Sequence, residues 1–266
     1  MKWRILINKP MSPYENMALD EAVFLGIQEG VSQPLIRFYD WDPPTVSLGN
    51  NQKTEEEVNL DAVKSKGYAV VRRPTGGRMV LHKNEVTYAV ITSLDGKMKG
   101  NITQTYSEIS KALSAGLTLL GIPNEFEKGS LSVSEQRMNA NPCFTSSSRY
   151  EINCLGKKII GSAQVRSKIA FLQHGSILLN ENQEEIAELL PGISDVKRAK
   201  IAEILRKKTI AVNMVTSKKY NFAEAVGKFI QGFKEYWIDD EFELVESINS
   251  SERLIMSKLL KSKYKC

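Results

Sequence analysis

Cysteine and histidine are both scarce in this chain. Its three cysteines, Cys143, Cys154 and Cys266, are odd in number and form no CxxC pair, which argues against a disulfide framework and for reduced thiols. The two histidines, His82 and His174, form no HExxH, and a Cys-His metal cluster would need almost every such ligand in the chain, so structural zinc is not expected and no metal is assigned. No stretch approaches the roughly 18 apolar residues of a membrane span. The first apolar run, Ile5-Leu6-Ile7, is too short for a secretory signal. A soluble, cytoplasmic protein is expected. The chain also lacks the P-loop pattern, the GxGxxG dinucleotide fingerprint, internal repeats and low-complexity tracts.

What is present is an ordinary globular composition. With 266 residues, 42% hydrophobic and 25% charged, the chain can bury a core without staples and is long enough for one large domain or two small ones. The net charge of +5 is unevenly placed. Residues 1–190 carry 21 cations against 21 anions, whereas residues 191–266 carry 15 against 10. Within the neutral part, Arg72 to Lys83 holds four cations and no acid. Such clustering suits an acidic partner, although solvated lysines explain the C-terminal excess equally well.

Local patterns give a coarse layout. Ser12-Pro13-Tyr14-Glu15 is a capping box with proline at the first helical position. Leu35–Tyr39 and Thr45–Leu48 read as strands, followed by a polar helix near residues 54–66. Tyr68–Arg72 and Met79–Thr92 read as strands around Pro74-Thr75-Gly76-Gly77. Tyr106, Ile109, Leu113, Leu117 and Leu120 mark an amphipathic helix ending before Gly121. Glu135–Ser148 reads as a mobile loop, then strands run through Tyr150–Cys154, Lys158–Arg166 and Phe171–Leu179. From about residue 182 the pattern turns helical, with Asn221 and Glu224 offering a further capping box. Strand and helix runs are partly segregated, which predicts an α+β domain with a mixed or antiparallel sheet.

Candidate chemistry gathers in four places. Arg72-Arg73-Pro74-Thr75-Gly76-Gly77-Arg78 combines close backbone approach with multi-donor cations, as phosphate or carboxylate binding requires, though a glycine pair between strands is more often a hairpin. His82 and His174 stand beside apolar neighbours, a setting in which histidine is usually structural. Cys143 lies in a polar loop, where a thiol is accessible, and Lys158 follows on a strand that would fix its ammonium. A nearby ammonium favours the thiolate and so makes the cysteine a nucleophile. Cys154, by contrast, reads as a buried small hydrophobe. Gly161-Ser162-Ala163-Gln164 is a run of small residues in a strand, which admits a ligand or marks tight packing.

Taken in order, RRPTGGRMVLH, CFTSSSRYE, GKKIIGSAQVR and LQHGSILL resemble the lipoate–protein ligase/biotin ligase catalytic family, with Asn16-Met17-Ala18-Leu19-Asp20 and Gly49-Asn50-Asn51-Gln52 as supporting marks. The likeness runs from about residue 10 to 180 and is nearest the cysteine-dependent octanoyltransferases of lipoate biosynthesis. It implies a single catalytic domain over 1–266, core about 30–240, with a mixed, largely antiparallel sheet flanked by helices. It also implies Cys143 as acyl-thioester nucleophile and Lys158 as the group that lowers its pKa. Arg73, Gly76, Gly77, Arg78 and His82 would border the acyl and carrier pocket, with Gly161, Ser162 and Ala163 opposite. Met79, Lys83-Asn84 and Ser146-Ser147 depart from the family pattern and bear on loop detail.

The reaction implied takes octanoyl from octanoyl-acyl carrier protein to a lysine of a lipoyl-domain acceptor, the glycine cleavage H protein. A thioester donor is already activated, so no cofactor is needed, and the expected state is a monomer with no nucleic-acid or membrane partner. The alternative is an ATP-dependent lipoate–protein ligase. Arg78 after the glycine pair, Cys143 in its Cys-Phe motif and the lack of room for a further C-terminal domain favour the transferase.

Overall fold

Two runs, Leu35–Tyr39 and Glu85–Ser93, are buried on both faces rather than alternately, as in strands covered from both sides. They form the middle of the larger of two sheets. A computed structural model describes residues 1–128, 150–181 and 183–265. In chain order the strands are β1 (Lys2–Ile7), β2 (Leu35–Tyr39), β3 (Thr45–Leu48), β4 (Ala69–Arg72), β5 (Val80–His82), β6 (Glu85–Ser93), β7 (Glu125–Lys128), β8 (Tyr150–Cys154), β9 (Lys157–Arg166), β10 (Ala170–Leu178) and β11 (Glu241–Val245). Helices are α1 (Pro13–Gln28), α2 (Thr54–Glu57), α3 (Leu60–Ser65), α4 (Ile102–Leu119), α5 (Asp195–Lys208), α6 (Val212–Val215), α7 (Phe222–Tyr236) and α8 (Ser250–Ser262).

Among the described residues the large sheet has eight strands in the order β11-β1-β2-β6-β10-β9-β8-β7, and the small one has three in the order β4-β3-β5. Only β1 pairs in parallel in the large sheet, with β2 and β11; its other pairings are antiparallel. The expected α+β class with a mixed, largely antiparallel sheet is therefore what the chain adopts. One face is covered by α4 and α7 over Trp3, Phe38, Tyr88, Phe171, Phe229 and Phe233. On the other lies α1, held between the sheet and α8, with Leu6, Met17, Phe24, Tyr39 and Leu172. A third apolar cluster, including Val46, Leu81, Ile186 and Leu205, joins the small sheet to the 3-10 helix Glu184–Leu189 and to α5.

Several elements differ from the sequence reading for identifiable reasons. The strand expected over Met79–Thr92 is two, because Asn84 at φ 51° turns the chain out of the small sheet into the large one. The polar helix near 54–66 is also two: Val58 is extended and Asn59 starts a new helix by accepting from the N–H groups of Asp61 and Ala62. The core extends beyond residues 30–240, since Trp3 and Tyr264 are both buried in it. The region after 182 is not wholly helical, because β11 returns to pair with β1. Both expected capping boxes form, at Ser12/Glu15 and at Asn221/Glu224. No helix among the described residues is long and apolar enough to cross a membrane.

Candidate active site

The glycine pair does not close a hairpin. β4 and β5 flank it in sequence, but β3 lies between them and pairs with both. The segment Arg73–Arg78 is therefore a crossover loop, open to one side and in need of support from below. Gly77 supplies the left-handed backbone at φ 93°, whereas a Cβ on Gly76 would meet only open space. Behind the pair, a Cβ on Gly49 would sit 2.0 Å from the Gly77 carbonyl oxygen, so the Gly49–Gln52 turn fits only as glycine there.

Two of the three arginines brace these loops. Arg72 donates to the carbonyls of Gly49 (3.0 Å) and Gln52 and to the Thr54 hydroxyl (3.2 Å). Arg73 is 5% exposed, and its guanidinium reaches the carbonyls of Ser47 (2.9 Å), Gly76 (2.9 Å) and Arg78 (2.7 Å). It also donates to the hydroxyls of Ser47 (3.0 Å) and Thr75 (3.2 Å). A guanidinium with so many internal acceptors braces the loop rather than presenting its charge to a ligand.

His82 sits at the end of β5 with Nε2 2.8 Å from Ser47 Oγ and Nδ1 2.7 Å from Glu85 Oε1. Trp41 stacks on its ring at 4.4 Å. Glu85 also accepts from the hydroxyls of Thr87 (2.6 Å) and Ser176. A serine–histidine–carboxylate row invites comparison with a hydrolytic triad. Ser47 is only 1% exposed and already accepts from Arg73, so it is no nucleophile.

His174 makes the matching arrangement on β10. Its Nε2 lies 2.7 Å from Thr75 Oγ1 and its Nδ1 3.3 Å from Asp20 Oδ2. Asp20, on α1, accepts further from Arg37 (2.7 Å) and the Tyr39 hydroxyl (2.8 Å). Burial alone would raise the Asp20 pKa, but the Arg37 guanidinium and the His174 hydrogen bond outweigh it and hold the carboxyl below its usual range. Burial, reinforced by Arg73 and His82, pushes the His174 pKa down despite Asp20, so the ring is neutral at pH 7.

Strand register decides which small residues face the loop. Ala163 pairs with His174 and Gly161 with Ser176, so these two share the loop-side face. Ser162 pairs with Gly175 and points the other way, its Oγ 2.7 Å from the Tyr88 hydroxyl. Gly161 and Ala163 therefore share the β9 face that carries His174 and Ser176 across the pair, and the Ser162 side chain lies on the opposite face. On that far side, a Cβ on Gly175 would lie 2.7 Å from the Tyr88 ring, which explains the glycine in Gln173-His174-Gly175-Ser176. Gln173 donates to Tyr88 at 2.9 Å, and burial pushes the tyrosine pKa up to about 12.

Lys158 lies near the start of β9 and is 6% exposed, a setting in which lysine occurs only when it has a partner. Its backbone carbonyl accepts from Ile210 N–H at 3.1 Å, tying the strand to the chain just after α5. Cys143, Ser146, Ser147 and the loop expected over Glu135–Ser148 lie outside the described residues. Cys154 is buried, which pushes its thiol pKa up and suits the structural role expected of it. Sequence reading missed Glu85 and Arg37, and gave Thr75 no part of its own within the glycine segment. For Glu85, the spacing His82-x-x-Glu85 was the available signal, visible only once the Asn84 turn is known.

The sheet order, the crossover loop and the small-residue strand opposite it define a catalytic domain of the lipoyl ligase class. Residues 12–234 match the lipoyl protein ligase A/B catalytic domain, and the chain belongs to that family. It is 38% identical to the octanoyltransferase LipM of Brevibacillus brevis over 99% of this chain and 96% of that one. With the octanoyltransferase LipM of Moorella thermoacetica the identity is 46%, over 75% and 73%. Among solved structures, a bi-partite lipoate protein ligase from Thermoplasma acidophilum superposes with a TM-score of 0.81 at 26% identity, covering 99% of this chain and 94% of that chain.

Proposed function

We propose that this chain takes an octanoyl group from octanoyl-acyl carrier protein and passes it to a lysine of a lipoyl-domain acceptor, the glycine cleavage H protein, in lipoate biosynthesis. The observation that carries this reading is the 38% identity to an octanoyltransferase, sustained over 99% of this chain and 96% of the relative. The Cys143 thiolate attacks the donor thioester, the carrier thiolate leaves, and an octanoyl-enzyme forms. The acceptor's lysine ε-amine then attacks that carbonyl, loses a proton and expels the Cys143 thiolate, leaving an amide. Lys158 favours the thiolate by its charge. Gly76, Gly77 and Arg78 form one wall of the acyl pocket, and Gly161 and Ala163 form the other. Thr75, beside the glycine pair, meets His174, whose partner across the strands is Ala163, and this supports the assignment. Arg73 and His82 act from beneath the wall. The reaction takes place in the cytoplasm.

The similarity to a lipoate protein ligase favours one second reading, ATP-driven attachment of free lipoate. One experiment separates the two. Octanoyl-acyl carrier protein and H protein are mixed with the enzyme in nucleotide-free buffer containing EDTA, and both proteins are followed by intact mass. Octanoyl on Cys143 and then on H protein is the expected result. Product only from free acid with Mg-ATP, with Cys143→Ala fully active, assigns the ligase instead.

A further inference from the structure

Glu85, His82, Ser47, Arg73, Thr75, His174, Asp20 and Arg37 form one unbroken hydrogen-bonded row beneath the Gly76–Gly77 loop. Each of the eight is at least nine-tenths buried. The chemistry of the end groups sets the direction of the bonds at Arg73 and at the two carboxylates. A guanidinium only donates and a carboxylate only accepts. Each hydroxyl therefore accepts from Arg73, each histidine donates through Nδ1 to its carboxylate, and a neutral imidazole then accepts at Nε2 from the hydroxyl. Two arms run outward from Arg73, one through Ser47 and His82 to Glu85, the other through Thr75 and His174 to Asp20.

We propose that Ser47 and Thr75 are positioning residues: through them the two histidine–carboxylate arms lock the Arg73 guanidinium, and Arg73 in turn sets the loop that lines the acyl site. The same guanidinium ends on the loop's own carbonyls, at Gly76 and Arg78, and the Thr75 carbonyl accepts from Asn50 N–H at 2.9 Å. In a trans peptide the N–H points opposite to the C=O, so drawing the Gly76 oxygen inward turns the Gly77 N–H away from Arg73. A network that served only stability would have no need to converge on the backbone of a glycine loop. Here three carbonyls of the small-sheet region, Ser47, Gly76 and Arg78, are gathered on one side chain.

The kinetic arm of the test rests on the transferase reading; the exchange arm does not. Thr75→Val removes the hydroxyl at little change in volume, Thr75→Ser keeps it, and Ser47→Ala cuts the other arm. Hydrogen exchange is followed for loop amides over Arg72–Val80, with β6 and β10 as internal reference. Thr75→Val is expected to speed loop exchange by about 10-fold while the reference strands hold their rates. In the same variant kcat for octanoyl transfer should fall about 10- to 100-fold, the effect of a small misplacement, with KM for the donor near the wild-type value. Thr75→Ser should regain most of both. If Thr75→Val unfolds the protein, reference and loop exchange rise together, and Ser47→Ala is read by the same criteria. Loop exchange and kcat both unchanged in Thr75→Val and Ser47→Ala overturn the proposal, as does loosening that serine at position 75 does not restore. Should wild-type enzyme transfer no octanoyl, the transferase reading fails and loop exchange alone decides this one.

Discussion

Strand β2 carries two unlike interiors on its two faces. Ile36 and Phe38 point to the α4–α7 side, where Phe38 meets the rings of Phe229 at 6.5 Å and Phe233 at 6.3 Å. Leu35, Arg37 and Tyr39 point to the α1 side, where Arg37 is as fully buried as Phe38. There, Arg37 and Asp20 form an ion pair at 2.7 Å with no exposed side-chain surface on either partner. Apolar packing stabilises in proportion to area and tolerates exchange of one hydrophobe for another. Buried ions gain little over an apolar pair of the same volume, because desolvation offsets their attraction. Around β2 the α4–α7 side thus rests on apolar packing, whereas the α1 side adds a buried ion pair to its own apolar cluster.

The largest effect should come from the chemistry itself. Cys143→Ala is expected to abolish the octanoyl-enzyme seen by mass spectrometry and to lower transfer by about 1000-fold or more. An adduct on Cys154 instead would move the nucleophile into a buried strand and undo the division between the faces. Next comes the ion pair. Arg37→Met leaves Asp20 charged and without its main partner, and should cost about 3–5 kcal/mol in urea unfolding. Adding Asp20→Leu should recover most of that stability but not transfer activity, since His174 loses its Nδ1 acceptor. Phe229→Leu on the other face should cost about 1 kcal/mol and leave kcat alone. If the double variant transfers octanoyl at the wild-type rate, the polar face is structural only.

Much of this division could be read from the residues, and the unread part has a common cause. Helix α1, strands β2 and β3 and the capping boxes depend on local signals, so they were legible. β1 and β11 were not, because each is completed by a partner more than two hundred residues away: Lys2 pairs with Glu241. The four motifs located the loop, Lys158 and the small-residue strand. Which of Gly161, Ser162 and Ala163 faces the loop depended on register with β10, which no single strand reveals. The arginines in Arg72–Arg78 suggested ligand contacts, yet Arg72 and Arg73 turn inward to carbonyl groups, a choice made by tertiary packing.

A smaller effect is expected at Lys158. Replacing it by alanine should raise the Cys143 pKa, because an ammonium beside a thiol favours the thiolate. Iodoacetamide alkylation of Cys143 against pH reads this directly. An unchanged profile would confine the lysine to a structural part on β9.

The smallest effect concerns acid stability and separates the buried row from the periphery. Glu185, on the 3-10 helix, accepts from Lys83 (2.8 Å), Lys66 (3.1 Å) and the Tyr68 hydroxyl (2.7 Å). Partial burial would raise its pKa, but these donors outweigh burial and hold it at about 2, against 4.5 ordinarily. Its contribution is therefore complete above pH 4.5 and disappears as pH falls toward 2. His174 acts at higher pH: its folded pKa lies below 6.5, so the unfolded chain takes the proton first and stability begins to fall below that pH. Glu185→Gln should lower stability at neutral pH by about 1 kcal/mol, because solvent reaches and screens this cluster. The variant and wild-type curves should run parallel from pH 6.5 to 4.5, where His174 is responsible, and converge only below 4.5. Urea midpoints measured across that range test both statements. Convergence already above pH 4.5 would mean that Glu185 is coupled to the histidine row, and the two regions would then titrate as one.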